Sequence, residues 1–258
     1  MNELLNDNYI LSSREFLTLA FLTGIQKISL PVQNKPQPLD EKETYQLLFQ
    51  LYQKKVLCWK DNGQYTLTVG LKEIFSQIKT ATQELRIYYP GKKSPVQCFG
   101  DRNIVVTELS ENDRDSLRVC KLSPVDFFLK MQEKKVFPVQ KISDKKEFLQ
   151  KESLSKESLQ KENPELWETL LQKYRNLLLT HHENTENLFE LFDTDPAIRS
   201  FVIIYDRKIQ QEKGFLLLLN NGIHNIMLYL ENNNMTAEYY SEKILREILL
   251  PANTKGGV

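Results

Sequence analysis

Histidine and carboxylate side chains come close together in sequence at His181-His182, followed by Glu186. On a helix this spacing sets an imidazole and a carboxylate about one turn apart, where both could bind a metal ion such as zinc. A zinc site needs a further protein ligand, and an HExxH motif would place two histidines around a glutamate, which this stretch does not do. We interpret the stretch as a polar helix junction and expect no metal site.

Other patterns resemble parts of catalytic or nucleotide-binding sites without completing one. Residues 91–94 (GKKS) are similar to the end of a phosphate-binding loop, but the glycine five positions upstream is missing and prolines bracket the turn. Asp113 and Asp115 lie in a polar stretch, where solvated turn residues are commoner than acid/base pairs. The sequence also contains neither a GxGxxG fingerprint nor a GxSxG nucleophile elbow. We therefore predict no catalytic residues, no cofactor and no enzymatic activity.

The cysteines and the charged side chains indicate where the protein is located and which partners are disfavoured. Cys58, Cys98 and Cys120 are odd in number and form no CxxC pair, which favours reduced thiols and a cytosolic protein. The 34 basic and 34 acidic side chains give a formal net charge of zero, which disfavours nucleic acid as a partner. Residues 1–9 lack the basic-then-apolar order of a signal peptide. The longest apolar run, 215–219, is far shorter than the roughly 20 residues of a membrane span, so we predict a cytoplasmic protein without one.

The spacing of apolar residues predicts an α+β fold. Capping boxes that begin at Ser12 and at Asp40 each start a helix. One stripe of the second helix is predicted to face the core: Tyr45, Leu48, Phe49 and Tyr52. A third helix is predicted after the hairpin that ends at Leu67, with an apolar stripe of Leu71, Ile74, Phe75 and Ile78. Alternating apolar residues predict antiparallel strands between 85 and 121 and three more between 201 and 230. A capped helix follows each group of strands, beginning near Ser123, with Pro124 as its first residue, and near Thr236.

The order of strands followed by a helix occurs twice in the chain. This predicts antiparallel sheets in two pseudo-twofold meander-plus-helix halves, with N-terminal helices before them and a helical hairpin inserted. We divide the chain into an N-terminal α+β half (1–140), a charged flexible arm (141–163) and a C-terminal half (164–258). The C-terminal half is predicted to hold the helical hairpin, a three-stranded meander and the C-terminal helix. Leucines in the arm recur every five residues and make no helical stripe.

Two apolar stretches are candidates for binding another protein. The amphipathic helix after Pro164 carries an aromatic and leucine stripe, which is either part of the core or a partner-binding face. The strand at 215–219 is apolar on both faces, so a helical layer or a partner must cover each side. The candidate partner-binding residues are Trp167, Leu171, Tyr174, Leu178, Phe215, Leu217 and Leu219.

Taken in order, these segments resemble the EspG family of type VII (ESX) secretion chaperones. The resemblance is carried by residues 9–11 (YIL) before a helix that ends at 24–25 (GI), by 30–31 (LP), and by 55–57 (KVL) leading into 65–67 (YTL). The doubled order of strands and helix completes it. The high lysine, asparagine and glutamine content is typical of a low-GC Gram-positive relative.

The resemblance implies a non-enzymatic cytosolic chaperone or adaptor. Such a protein would hold a helical-hairpin export substrate soluble and deliver it to the secretion ATPase, with a groove between the strands at 201–230 and the helical hairpin at 167–192. The alternative function is a transcription regulator, because the helix from Asp40 and the hairpin up to Leu67 resemble the end of a winged-helix unit. Basic residues are few there, chiefly Lys54, Lys55 and Lys60. An enzyme built from residues distant in sequence is a third hypothesis.

Overall fold

The computed structural model describes residues 8–31, 37–60, 63–100, 103–110, 113, 115–139, 165–166, 168–170, 172–174, 192–220, 222–231 and 234–250. The fold is mixed α+β, as predicted, with large and small antiparallel sheets and helices. The predicted arm at 141–163 lies outside the described residues. The three-part division of the chain and the pseudo-twofold relation stay predictions.

The strands are β1 (Asn8–Ser12), β2 (Leu57–Trp59), β3 (Tyr65–Leu67), β4 (Gln83–Tyr88), β5 (Val96–Phe99), β6 (Ile104–Leu109), β7 (Ser116–Leu122), β8 (Ile198–Asp206), β9 (Gln211–Asn220), β10 (Asn225–Glu231) and β11 (Asn234–Tyr239). The helices with defined bounds are α1 (Ser13–Leu22), α2 (Glu41–Gln53), α3 (Val69–Thr80), α4 (Pro124–Glu133) and α5 (Glu242–Leu249). Residues 165–166, 168–170, 172–174 and 192–194 are also helical.

Nine strands form the large sheet in the order β1-β7-β6-β5-β4-β8-β9-β10-β11, and β2 pairs with β3 in the small one. The chain divides into two compact units. The first consists of Met1–Glu84 and Ser94–Pro124, and the second of Leu85–Lys93 and Val125–Val258. No helix among the described residues is long and apolar enough to cross a bilayer.

In the first unit both predicted capping boxes are present. The Ser12 hydroxyl accepts a hydrogen bond from the Glu15 backbone N–H, and the Glu15 carboxylate accepts one from the Ser12 N–H. Asp40 and Glu43 make the same reciprocal pair at the start of α2. The predicted apolar stripe of α3 is buried and packs with α1, where the rings of Phe16 and Phe75 lie 5.2 Å apart.

The prediction for the stripe of α2 is wrong for three of its four residues. Leu48 packs partly buried against the core of the first unit, whereas Tyr45, Phe49 and Tyr52 are exposed. The helix carries two overlapping apolar stripes, and the core contacts are made by its leucines, with Leu51 fully buried. The leucines of α2 therefore pack against the core of the first unit, and its aromatic stripe is exposed to solvent.

In the second unit β8, β9, β10 and β11 form an antiparallel meander of four strands, not the three predicted. The helix predicted from Thr236 begins only after Ser241, whose hydroxyl accepts a hydrogen bond from the Ile244 backbone N–H. Thr236 instead pairs with Tyr229 in the antiparallel ladder of β10 and β11. Residues 234–239 form a strand because β10 supplies hydrogen-bond partners to their backbone. That pairing cannot be inferred from the local sequence pattern.

Candidate protein-binding surface

The described residues of the predicted partner-binding set belong to the core of the second unit. Tyr174, Phe215, Leu217 and Leu219 are all buried in one apolar cluster, together with Leu170. Trp167, Leu171 and Leu178 lie outside the described residues. One face of β9 is therefore covered from within the chain, and partner binding by these seven residues stays a prediction.

A polar network surrounds the hydroxyl of Tyr174. This hydroxyl donates to Asp195 Oδ2 over 2.7 Å, and Lys173 Nζ lies 2.7 Å from the same oxygen. Burial, followed by the hydrogen bond to Asp195, raises the pKa of Tyr174 to about 12. Burial alone would raise the pKa of Asp195, but its hydrogen bonds from Lys173, Tyr174 and the Ala197 N–H together lower it. The network fixes the helical residues at 172–174 to the turn before β8.

An exposed aromatic surface occupies one side of α2 and the adjoining hairpin. Tyr45, Phe49 and Tyr52 are 64%, 54% and 44% exposed, and Trp59 of β2 is 54% exposed. The half-buried ring of Tyr65 links the two elements, because its centroid lies 6.1 Å from that of Tyr52 and 4.8 Å from that of Trp59. We call the four exposed residues, Tyr45, Phe49, Tyr52 and Trp59, the aromatic face.

Helical geometry explains why the three rings of α2 lie together. Positions 45, 49 and 52 are four and three residues apart, a spacing that keeps side chains on one side of a helix. At about 200 Å² per aromatic side chain, the exposed fractions of the aromatic face amount to roughly 400 Å². Exposed patches of that size on a monomer are often functional.

Charges flank the aromatic face unequally. At its N-terminal end, Asp40, Glu41 and Glu43 are exposed together with Lys42, and an open depression is lined by Asp40, Glu41, Lys42, Tyr45 and Gln46. At its C-terminal end the exposed charged residues within the described part of the chain are Lys54, Lys55 and Lys60. Lys54 Nζ lies 2.5 Å from the buried Glu15 carboxylate and is thereby neutralised. The N-terminal end is therefore acidic and the C-terminal end basic.

The structure describes two of the three sequence patterns that were considered as chemical sites: Asp113 with Asp115, and residues 91–94. Asp113 accepts hydrogen bonds from the Ser116 hydroxyl and then from the Asp115 backbone N–H, which lower its pKa and hold a turn before β7. Residues 91–94 lie between β4 and β5. Within the described ranges no group of three or more His, Cys, Asp or Glu side chains could hold a metal ion. His181, His182 and Glu186 lie outside those ranges.

The aromatic face was not predicted from the sequence. A signal was present, since tyrosine and phenylalanine recur along α2 on one side while leucines occupy the other. Because both stripes have helical spacing, the residue types were the only indication of which one faces solvent.

The fold and this surface define an α+β protein with an exposed aromatic patch beside a small hairpin. No protein-family model and no curated protein matches the chain. Among solved structures, it is similar to the Mycobacterium tuberculosis type VII secretion system chaperone EspG5, determined in complex with a PE25–PPE41 dimer. That similarity has a TM-score of 0.44 at 8% sequence identity, and it covers 94% of each chain.

Proposed function

We propose that this chain is a non-enzymatic chaperone or adaptor that binds a helical export substrate of a type VII secretion system. The exposed aromatic face is the observation that carries the proposal, and the resemblance of the sequence to the EspG family supplies the class of partner. Holding such a substrate soluble before export would place the protein in the cytoplasm. Delivery to a secretion ATPase belongs to the same proposal.

A protein partner fits the aromatic face better than a nucleic acid does. Tyrosine, tryptophan and phenylalanine are enriched at protein interfaces, where a few aromatic residues carry most of the binding free energy. A helix that reads DNA would need basic and polar side chains on its outer side. The exposed side of α2 presents aromatic rings there, with acidic residues at its N-terminal end. This arrangement disfavours the winged-helix alternative.

Burying the aromatic face would stabilise a complex. At about 25 cal/mol per Å² the roughly 400 Å² of exposed aromatic surface offers on the order of 10 kcal/mol before the costs of association. Part of that free energy offsets the lost motion of the two partners and the ordering of side chains. The predicted groove beside β8–β10 is the other candidate surface, but a partner there would have to displace Tyr174 from the apolar cluster that also contains Phe215 and Leu217.

Co-expression tests the proposal. We expect a secreted helical protein encoded beside this chain to co-purify with it, and Phe49→Asp to reduce the recovered partner at least tenfold, because a carboxylate would be buried in an apolar contact. Val69→Asp is the matched control, since Val69 is also exposed but lies on α3. Failure of every neighbouring secreted protein to co-purify would contradict the proposal.

A DNA-binding assay with the same purified protein tests the alternative function, a transcription regulator. Sequence-specific binding to duplex DNA at physiological salt would favour a transcription regulator. We expect only weak binding that is lost as the salt concentration rises.

A further inference from the structure

The three rings that α2 contributes to the aromatic face are nearly symmetric about Phe49. Tyr45 and Tyr52 flank Phe49 along α2, and the stripe is about 10 Å long at the usual rise per residue of a helix. If two copies of α2 pack antiparallel about a twofold axis, Phe49 meets Phe49 of the other copy and Tyr45 meets Tyr52. A twofold interface uses the same patch on both subunits, so it requires this kind of self-matching surface.

The charges at the two ends of the face match under the same axis. Three carboxylates and Lys42 occupy the N-terminal end, while Lys55 and Lys60 remain at the C-terminal end once Lys54 has paired with Glu15. Antiparallel packing brings the acidic end of each helix against the basic end of the other. The two helix dipoles are also antiparallel in that arrangement, which is electrostatically favourable. A parallel arrangement would set like charges together and is disfavoured.

The available area predicts how strong such a contact would be. Stable complexes bury about 800 Å² on each partner. The aromatic face supplies roughly 400 Å², and the charged side chains at its ends would add a polar rim. An interface at this small end of the range forms weak, reversible dimers, with a dissociation constant on the order of micromolar.

We propose that a second copy of this chain occupies the aromatic face when no other protein is bound to it, with the two α2 helices antiparallel. This goes beyond the proposed function, because it needs no export substrate. A second copy and an export substrate would exclude each other at this surface, so self-association would cover the aromatic residues until a substrate replaces the second copy.

Sedimentation equilibrium of the full chain alone, from about 1 to about 200 μM, tests the proposal over the range in which a weak dimer would form. We expect a monomer–dimer equilibrium that weakens as salt is added, since exposed charge pairs are screened. Phe49→Asp should abolish the dimer. Glu41→Lys and Lys55→Glu, each alone, should weaken it about tenfold, because each places like charges opposite one another at both ends.

Mixing the two charge-reversed proteins gives the sharpest outcome. In the mixture, the position changed by Glu41→Lys in one protein would face the position changed by Lys55→Glu in the other. The unchanged Lys55 and Glu41 would face each other at the opposite end, so a heterodimer close to wild-type affinity is expected. Lys135→Glu is the matched control, because Lys135 is exposed and has the same left-handed backbone as Lys55 but lies after α4. Circular dichroism melting curves of each variant check that it is folded.

A wild-type chain that stays monomeric up to about 200 μM would overturn the proposal. So would a dimer that survives Phe49→Asp, or charge-reversed variants that do not recover on mixing. None of these results bears on co-purification with a secreted protein, and the lack of a co-purifying protein would leave the dimer intact. The two proposals can therefore fail separately.

Discussion

Tyrosine is common at protein interfaces, but Tyr174 is part of the core of the second unit. Its ring lies in the apolar cluster with Phe215 and Leu217, while its hydroxyl donates to Asp195. Tyr240 is likewise buried, and burial together with the negative charge of Glu242 raises its pKa to about 12. Both tyrosines therefore stay protonated in the folded unit until the pH approaches 12.

Alkaline pH should therefore destabilise the second unit through these two residues. An unfolded tyrosine ionises near pH 10, whereas Tyr174 and Tyr240 have folded pKa values of about 12. Their contribution is fully present below pH 10 and is lost as the pH rises from about 10 to about 12, by on the order of 2 to 3 kcal/mol for each. Urea unfolding at a series of pH values measures the loss.

Tyr174→Phe is the control for this pH dependence. It should cost about 1 kcal/mol at pH 7 by removing the hydrogen bond to Asp195, and the remaining stability should fall less steeply above pH 10. An ultraviolet titration of the folded protein in which all eleven tyrosines ionise near pH 10 would contradict the expectation.

Helices α2 and α4 are followed by the same type of turn. Each is followed by two lysines and a valine, and the second lysine has a left-handed backbone, with φ of 57° at Lys55 and 60° at Lys135. The N–H of the following valine closes the turn on Leu51 in α2 and on Met131 in α4. Glycine is the usual residue at such a position because a side chain strains it.

Lys135→Gly is expected to stabilise the protein by about 1 kcal/mol, since the side chain of Lys135 is exposed and the strain of the left-handed backbone is relieved. The matched control is Glu133→Gly in the last turn of α4, which should destabilise by about 1 kcal/mol because its backbone is helical. Thermal unfolding of both variants measures the difference. Equal effects of the same sign would show that the turn is not strained.

At the scale of the whole molecule, charge balance and exposed apolar side chains act together. The chain has no net charge at pH 7, and the aromatic face leaves several rings in water. Electrostatic repulsion between copies is then weakest near neutral pH, where apolar contacts meet least opposition.

The solubility of the purified protein should therefore pass through a minimum near pH 7. Lys135→Glu combined with Lys208→Glu changes the net charge by −4, two charges at each exposed position, and should move the minimum to lower pH. Precipitation by polyethylene glycol across a pH series measures it. A minimum that does not move would show that charge balance does not control solubility.

The sequence by itself determined the elements whose signals are local. The two capping boxes, the hairpin of β2 and β3, the stripe of α3 and the proline at the start of α4 depend on neighbours within a few residues, and each was predicted correctly. These signals act through the hydrogen bonds and apolar spacing of one segment, so no distant contact is needed to interpret them.

Only the tertiary structure decided which side of α2 is buried and whether residues 234–239 form a strand. Two stripes of α2 fit the same helical period, and packing of Leu48 and Leu51 into the first core selects one of them. The segment at β11 becomes a strand because β10 supplies its hydrogen-bond partners. In both places the deciding free energy comes from residues outside the local pattern, and it left the aromatic face on the surface.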